Sequence, residues 1–142
     1  MTANEHAVRR AALLCVECGK CVAVCPMAEM YPEFSWDMSP RGIVQQVLRE
    51  IPADQIRGVE GCVQCRSCAT ACPAGVDAAG LVALLRQTLP APAVCSCCGG
   101  ALPPAPAREY VRRATARTPG EDDGFMDLCP DCRRRMYARN NR

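Results

Sequence analysis

Apolar residues recur along this chain mostly at helical intervals. Val8, Ala11, Ala12 and Leu14 can share one face over residues 3–14, with Arg9 and Arg10 outward, which predicts a leading helix. Ile43, Val44, Val47, Leu48 and Ile51 repeat the pattern behind Ser39-Pro40, a capping serine followed by proline at the first helical position. Pro52 closes that run, so a second helix is expected over residues 40–51. Leu81, Val82, Leu84, Leu85 and Leu89 predict a third, capped by Asp77 and stopped by Pro90. Pro106 can open a shorter helix with Tyr110, Val111 and Ala114 inward and Arg108, Arg112 and Arg113 outward; Glu121, Asp122, Asp123 and Gly124 then read as a polar turn. Strand-like alternation is nearly absent, so the expected fold is mainly α.

The helical pattern fails in two places. Met27 to Met38 is irregular and carries Tyr31, Phe34 and Trp36, rings suited to keeping water from whatever lies beside them. Residues 90–107 are broken by Pro90, Pro92, Pro103, Pro104 and Pro106 and read as a linker-like stretch. Two domains are expected, residues 1–90 and residues 91–142.

Cysteine changes the picture most. The chain has 13, and eight fall in two copies of one string. Cys15-Val-Glu-Cys18-Gly-Lys-Cys21-Val-Ala-Val-Cys25-Pro26 matches Cys62-Val-Gln-Cys65-Arg-Ser-Cys68-Ala-Thr-Ala-Cys72-Pro73 in the spacing of every cysteine and of the closing proline. This is the C-x2-C-x2-C-x3-C-P spacing that holds cubane iron–sulfur clusters. Three thiolates on one tight loop can grip three iron corners of a cube, but the loop cannot reach the fourth. In two-cluster proteins the last cysteine of each run serves the other cluster. The expected ligand sets are therefore Cys15, Cys18, Cys21 and Cys72 for one 4Fe-4S cluster, and Cys62, Cys65, Cys68 and Cys25 for the other. The proline after each run removes a backbone donor and turns the chain away. Structural zinc prefers two separated pairs. A disulfide framework fits neither the repeat nor a chain in which no secretory leader is legible.

Composition limits the alternatives. Aromatics are 4% of the residues, too few for a large ring-built core, so bound metal must supply much of the ordering energy. The net charge of +2 does not by itself suggest nucleic acid. No stretch approaches the roughly 18 apolar residues that cross a bilayer. Free thiols in this number suit a reducing, cytoplasmic setting. Residues 1–90 show no nucleophile–base pair and no phosphate-cradling glycine loop, so no autonomous catalytic site is expected there. His6 is read as a solvated or capping residue.

The two runs, with a helix opening Ser-Pro-Arg-Gly-Ile-Val-Gln-Gln-Val-Leu between them, and the second run's Gly-Cys-Val-Gln-Cys-Arg-Ser-Cys-Ala-Thr-Ala-Cys-Pro-Ala-Gly-Val-Asp, resemble the two-cluster relay subunit of heterodisulfide reductase over about residues 5–90. The iron–sulfur subunits of succinate dehydrogenase and fumarate reductase share the helical two-cluster domain but carry a plant-type ferredoxin domain before it. The resemblance implies a helical two-cluster ferredoxin-like fold. It also implies a relay role in an anaerobic, hetero-oligomeric oxidoreductase complex. Single electrons would pass between proteins like the flavin-bearing and the catalytic subunits of heterodisulfide reductase.

Beyond that region, Cys95-Ser-Cys97-Cys98-Gly99-Gly100 and the distant Cys129-Pro-Asp-Cys132 form two C-x2-C pairs. They predict a small zinc-ribbon-like or treble-clef-like module with Cys95, Cys98, Cys129 and Cys132 on one Zn2+, leaving Cys97 over. Cys97-Cys98-Gly99 also resembles the CCG motif of the catalytic heterodisulfide reductase subunit, where paired cysteines bind an unusual disulfide-cleaving cluster. A fused relay and reductase therefore stands as an alternative, as does a zinc-ribbon docking scaffold with purely structural clusters. Arg133, Arg134, Arg135 and Arg139 make the tail basic, a feature read as docking to a partner protein rather than to nucleic acid.

Overall fold

The computed structural model describes residues 3–115 and 124–140, less the side chains of residues 3–5, 8 and 140. The polar turn expected at Glu121, Asp122 and Asp123 and the inward face expected of Val8 lie outside the described residues. The chain divides into two compact units, Met1–Pro90 and Ala91–Arg142.

In the first unit the described residues form helices and no strands. Three longer helices, α1 (Ala3–Ala12), α4 (Pro40–Leu48) and α6 (Ala78–Arg86), pack on one another. Their shared core holds Ala12, Ile43, Val44, Val47, Leu81, Val82 and Leu85, with Val59 and Val76 from the connections. It is built from aliphatic side chains at helical spacing, as a chain poor in aromatics requires. Three single-turn helices, α2 (Lys20–Ala23), α3 (Met27–Met30) and α5 (Ser67–Thr70), lie within or just after the cysteine-bearing segments.

Caps explain where α4 and α6 begin. Ser39 is fully buried and accepts the Gly42 amide at 3.0 Å, with Pro40 in the first turn. Asp77 accepts the Gly80 amide at 2.8 Å. At its other end α4 stops three residues earlier than the periodicity suggests. Glu50 turns left-handed at φ 60°, its amide donates to the Val47 carbonyl at 3.0 Å, and the Ile51 amide donates to Gln46 at 3.1 Å. This is a Schellman closure, and it carries Ile51 out to the surface.

The leading helix also ends early. The chain leaves α1 after the buried Ala12, and the turn into Cys15 swings Leu13 and Leu14 outward, so Leu14 does not join the core. Trp36 is likewise exposed, whereas Tyr31 is buried and its hydroxyl donates to the Gly61 carbonyl at 2.6 Å. Burial, with the Cys62 sulfur nearby, pushes the Tyr31 phenol up to about 12, so it stays a donor.

The second unit contains α7 (Ala105–Thr115) and α8 (Pro130–Asn140). The sheet of a ribbon is missing from its described residues, where the pairing is a Val94–Ala101 bridge. The two faces of α7 are rotated from expectation. Ala107 is buried and Val111 half-buried, while Tyr110 and Ala114 are exposed. Arg108 is drawn inward, 3.8 Å from the Asp127 carboxylate. The basic tail is helical: Arg133 lies over the Phe125 ring at 5.3 Å and donates to the Leu128 carbonyl at 3.1 Å.

Candidate metal centres

The two cysteine runs adopt the same backbone. Glu17 and Gln64, one residue before the second cysteine of each run, are left-handed at φ 57° and 58°; Gly19 and Arg66, one residue after it, are left-handed at 77° and 63°. In the first run the Gly19 carbonyl accepts from Val22 and Ala23, and Cys25 donates to Val22. In the second, the Arg66 carbonyl accepts from Ala69 and Thr70, and Cys72 donates to Ala69. Two left-handed residues in three positions wrap each loop so that its thiols converge. Nothing lies within 4 Å of a β-carbon built on Gly19, so it is the hand of the turn, not crowding, that favours glycine there. Arg66 holds the strained conformation with help from its 2.6 Å ion pair to Asp77, the cap of α6.

Two cavities result. One, open to solvent, is lined by Cys15, Cys18, Cys21 and Cys72, with Cys68 also on its wall. The other is lined by Cys25, Cys62, Cys65 and Cys68. The second cavity thus takes three cysteines from one run and the last cysteine of the other, and the first takes three from one run with Cys68 and Cys72 of the other. Pro40, Val44, Val76 and Ala78 wall the first; Met27, Ile43, Ala79 and Val82 wall the second. The expected aromatic shield at Phe34 and Trp36 lines neither cavity; aliphatic side chains of α4 and α6 do that instead.

The chemistry of the donor set fits iron–sulfur clusters. Burial pushes the Cys21, Cys25 and Cys62 thiols up, and Cys68 up to about 11. Buried thiols this close together keep their protons unless cationic metal replaces them. Hydrogen bonds also reach the sulfurs: the Val76 amide donates to Cys72 at 3.3 Å and the Gln64 carboxamide to Cys62 at 3.7 Å. Cys65 is held low by the Ser67 hydroxyl and then the Ser67 amide. Arg86 on α6 fixes the second loop by donating to the carbonyls of Val59, Glu60 and Cys62. Gln64, Ser67 and Arg86 escaped the sequence reading. Aligning the two runs exposes the first two, because Gln64 stands where the other run has Glu17 and Ser67 where it has Lys20.

The second unit assembles a different site. The Sγ atoms of Cys95, Cys98, Cys129 and Cys132 all lie within 4.8 Å of one another, and among the described residues no other set of three or more possible ligands does so. That compactness suits one ion, whereas the sulfurs lining the two cavities stand too far apart for one. Cys95 and Cys98 sit on a tight knuckle: the Cys95 amide donates to Gly100 at 2.8 Å and the Gly99 amide to the Cys95 carbonyl at 2.9 Å. The other pair is at the start of α8, whose N-terminal dipole favours thiolate. The Cys129 amide donates to Cys95 Sγ at 3.2 Å and holds that thiol down to about 6. Cys132 is pushed up, first by the Cys98 sulfur beside it. Cys129 is likewise held down, first by the Cys132 amide, and four sulfurs this close suit a tetrahedral dication. Cys97 is exposed and stands outside this foursome.

Residues 11–76 match the family model of the 4Fe-4S dicluster domain, a little under half of the chain. The first unit carries an iron–sulfur, ferredoxin-like domain. The chain is also 35% identical over 83 residues to the glycolate oxidase iron-sulfur subunit of Escherichia coli (strain K12), a match covering 54% of this chain and 20% of that protein. The chain therefore spans about a fifth of the length of this curated relative. No solved structure matches the chain. Among the described residues no helix is long and apolar enough to cross a membrane.

Proposed function

We propose that the chain is the electron-relay subunit of a cytoplasmic, hetero-oligomeric oxidoreductase complex of the heterodisulfide reductase type. Cys15, Cys18, Cys21 and Cys72 hold one 4Fe-4S cluster, and Cys62, Cys65, Cys68 and Cys25 the other. The observation that carries this reading is the crossed lining of the two cavities: Cys72 of the second run meets Cys15, Cys18 and Cys21 in one, and Cys25 of the first run meets Cys62, Cys65 and Cys68 in the other. When bound, such clusters accept and release single electrons. The protein's part is to fix the thiolates, dry them with α4 and α6, and aim amide and hydroxyl donors at sulfur, which favours the more negative, reduced state. Cys68 lines both cavities, so the two centres are neighbours and an electron can step between them.

Cys95, Cys98, Cys129 and Cys132 hold one Zn2+ that orders the second unit. The disulfide-cleaving alternative needs Cys97 and Cys98 as a pair, and Cys97 stands outside the foursome. Proteins like the flavin-bearing and the catalytic subunits of heterodisulfide reductase are the expected partners. The similarity to a glycolate oxidase iron–sulfur subunit favours a second reading, in which the relay serves a protein that oxidises a small organic substrate. Native purification followed by identification of the co-eluting subunits separates the two. The shared claim is tested by titrating the anaerobically purified chain with dithionite. Two one-electron reductions per chain are expected, and a chain that takes up no electrons refutes the relay.

A further inference from the structure

The two cysteine loops share a backbone but not a surface. Around the first, Leu13 is 64% exposed, Leu14 57% and Val16 66%. The positions equivalent to these in the second loop are Glu60, Gly61 and Val63, of which Glu60 is exposed and polar, Gly61 is buried and Val63 is half-buried. Cys18 and Cys65, the middle thiols, are both exposed, so each centre has an edge at the surface. Of the two edges, the one at Cys18 is flanked by three bare aliphatic side chains within five residues. The helix that could have buried Leu14 instead stops at Ala12. An isolated exposed leucine needs no explanation, but an apolar group gathered beside a redox centre does.

Charge narrows the occupant. Arg10 and Lys20 are exposed in the same stretch, and Arg41 lines the cavity with Val16 and Cys18, against the carboxylate of Glu17, which pairs with Arg41 at 2.7 Å. Glu60, Arg66, Asp77 and Arg86 around the second loop balance one another.

We propose that Leu13, Leu14 and Val16 form the docking face for an acidic redox protein, one that offers an apolar patch ringed by carboxylates. Electrons exchange with it through the centre held by Cys15, Cys18, Cys21 and Cys72. The inference rests on the relay reading above. One electron crosses the contact, the partner's centre losing or gaining what the cluster gains or loses, and no bond forms or breaks. Apolar contact at the centre of the face excludes water and shortens the path, while the basic rim steers the encounter.

The test uses the full chain with its clusters in place and reduced flavodoxin, an acidic protein with an exposed flavin edge, as the probe, followed by stopped-flow absorbance. The Leu13→Ser/Leu14→Ser variant, which leaves the cavity-lining Val16 in place, is expected to be reduced at least tenfold more slowly, with the electron paramagnetic resonance signals and potentials of both clusters unchanged. Leu13→Glu should slow the reaction and Leu13→Lys speed it, most strongly at low salt. Glu60→Ser at the second loop should leave it unaltered. Equal rates in the wild type and the double variant overturn the proposal. So does a wild-type chain that sediments as a dimer and becomes monomeric in the variant, since a second copy would then be the occupant. Reduction by dithionite is measured on the same samples without flavodoxin. If it fails in the wild type, the relay reading itself has fallen, and that result is distinct from a change in docking alone.

Discussion

At Gly42 a β-carbon would stand 2.4 Å from the carbonyl oxygens of Trp36 and Asp37, both backbone atoms with nowhere to go. Gly42→Ala should therefore cost more than about 2 kcal/mol, seen as a lower denaturation midpoint of the cluster-loaded chain. Arg66 is the opposite case. Its left-handed backbone costs on the order of 1 kcal/mol, and its ion pair, with both partners about half exposed, returns at most about 0.5 kcal/mol. Arg66→Gly should be neutral or slightly stabilising by the same measurement; a loss above about 1 kcal/mol would show that the guanidinium does more than hold Asp77. At this scale the sequence was legible where spacing carries the chemistry, as it does for the cysteines. It was silent on Gln64 and Arg86, whose donors reach a sulfur and three carbonyls only once the chain has folded.

The elements show what periodicity can and cannot convey. Ser39-Pro40 and Asp77 announced the starts of α4 and α6 because a cap is a local match between one side chain and nearby amides. The ends were less visible. Glu50 closes α4 with a left-handed residue that is not glycine, and the exit of Leu13 and Leu14 from α1 depends on where Cys15 must go. The rotation of α7 depends on Asp127, distant in sequence, which draws Arg108 inward. For α6 the cap gives a pH-dependent expectation. The Gly80 amide, with help from Arg66, holds the Asp77 carboxyl below its usual range. Its contribution is complete above the unfolded carboxylate value of about 3.9 and is lost as pH falls through the depressed folded value. Asp77→Ala should cost about 1 kcal/mol near neutral pH. In anaerobic denaturant melts, that difference should narrow as the medium is acidified toward the folded value.

The whole molecule consists of two units with separate apolar clusters, one around Ile43, Val44 and Leu81 and one around Cys95, Leu102, Cys129 and Cys132. In the second cluster most of the buried side chains are candidate ligands, so a metal bound there would be the greater part of the core. Cys129→Ser should remove zinc and the helical signal of α8 while the iron content of the chain stays unchanged, as metal analysis and circular dichroism would show. In the first unit the helices pack through Ala12, Ile43 and Leu85, and the two cysteine runs meet at the cavities that they line together. That crossing is the centre of the account, and iron quantification of anaerobically prepared Cys72→Ser tests it most directly. Cys72 belongs to the second run yet lines the first cavity. The variant should keep about four of about eight irons per chain, with the surviving paramagnetic signal that of the centre held by Cys62, Cys65, Cys68 and Cys25. A variant that instead loses the centre gripped by the second run, and keeps the one beside Cys15, Cys18 and Cys21, would contradict it.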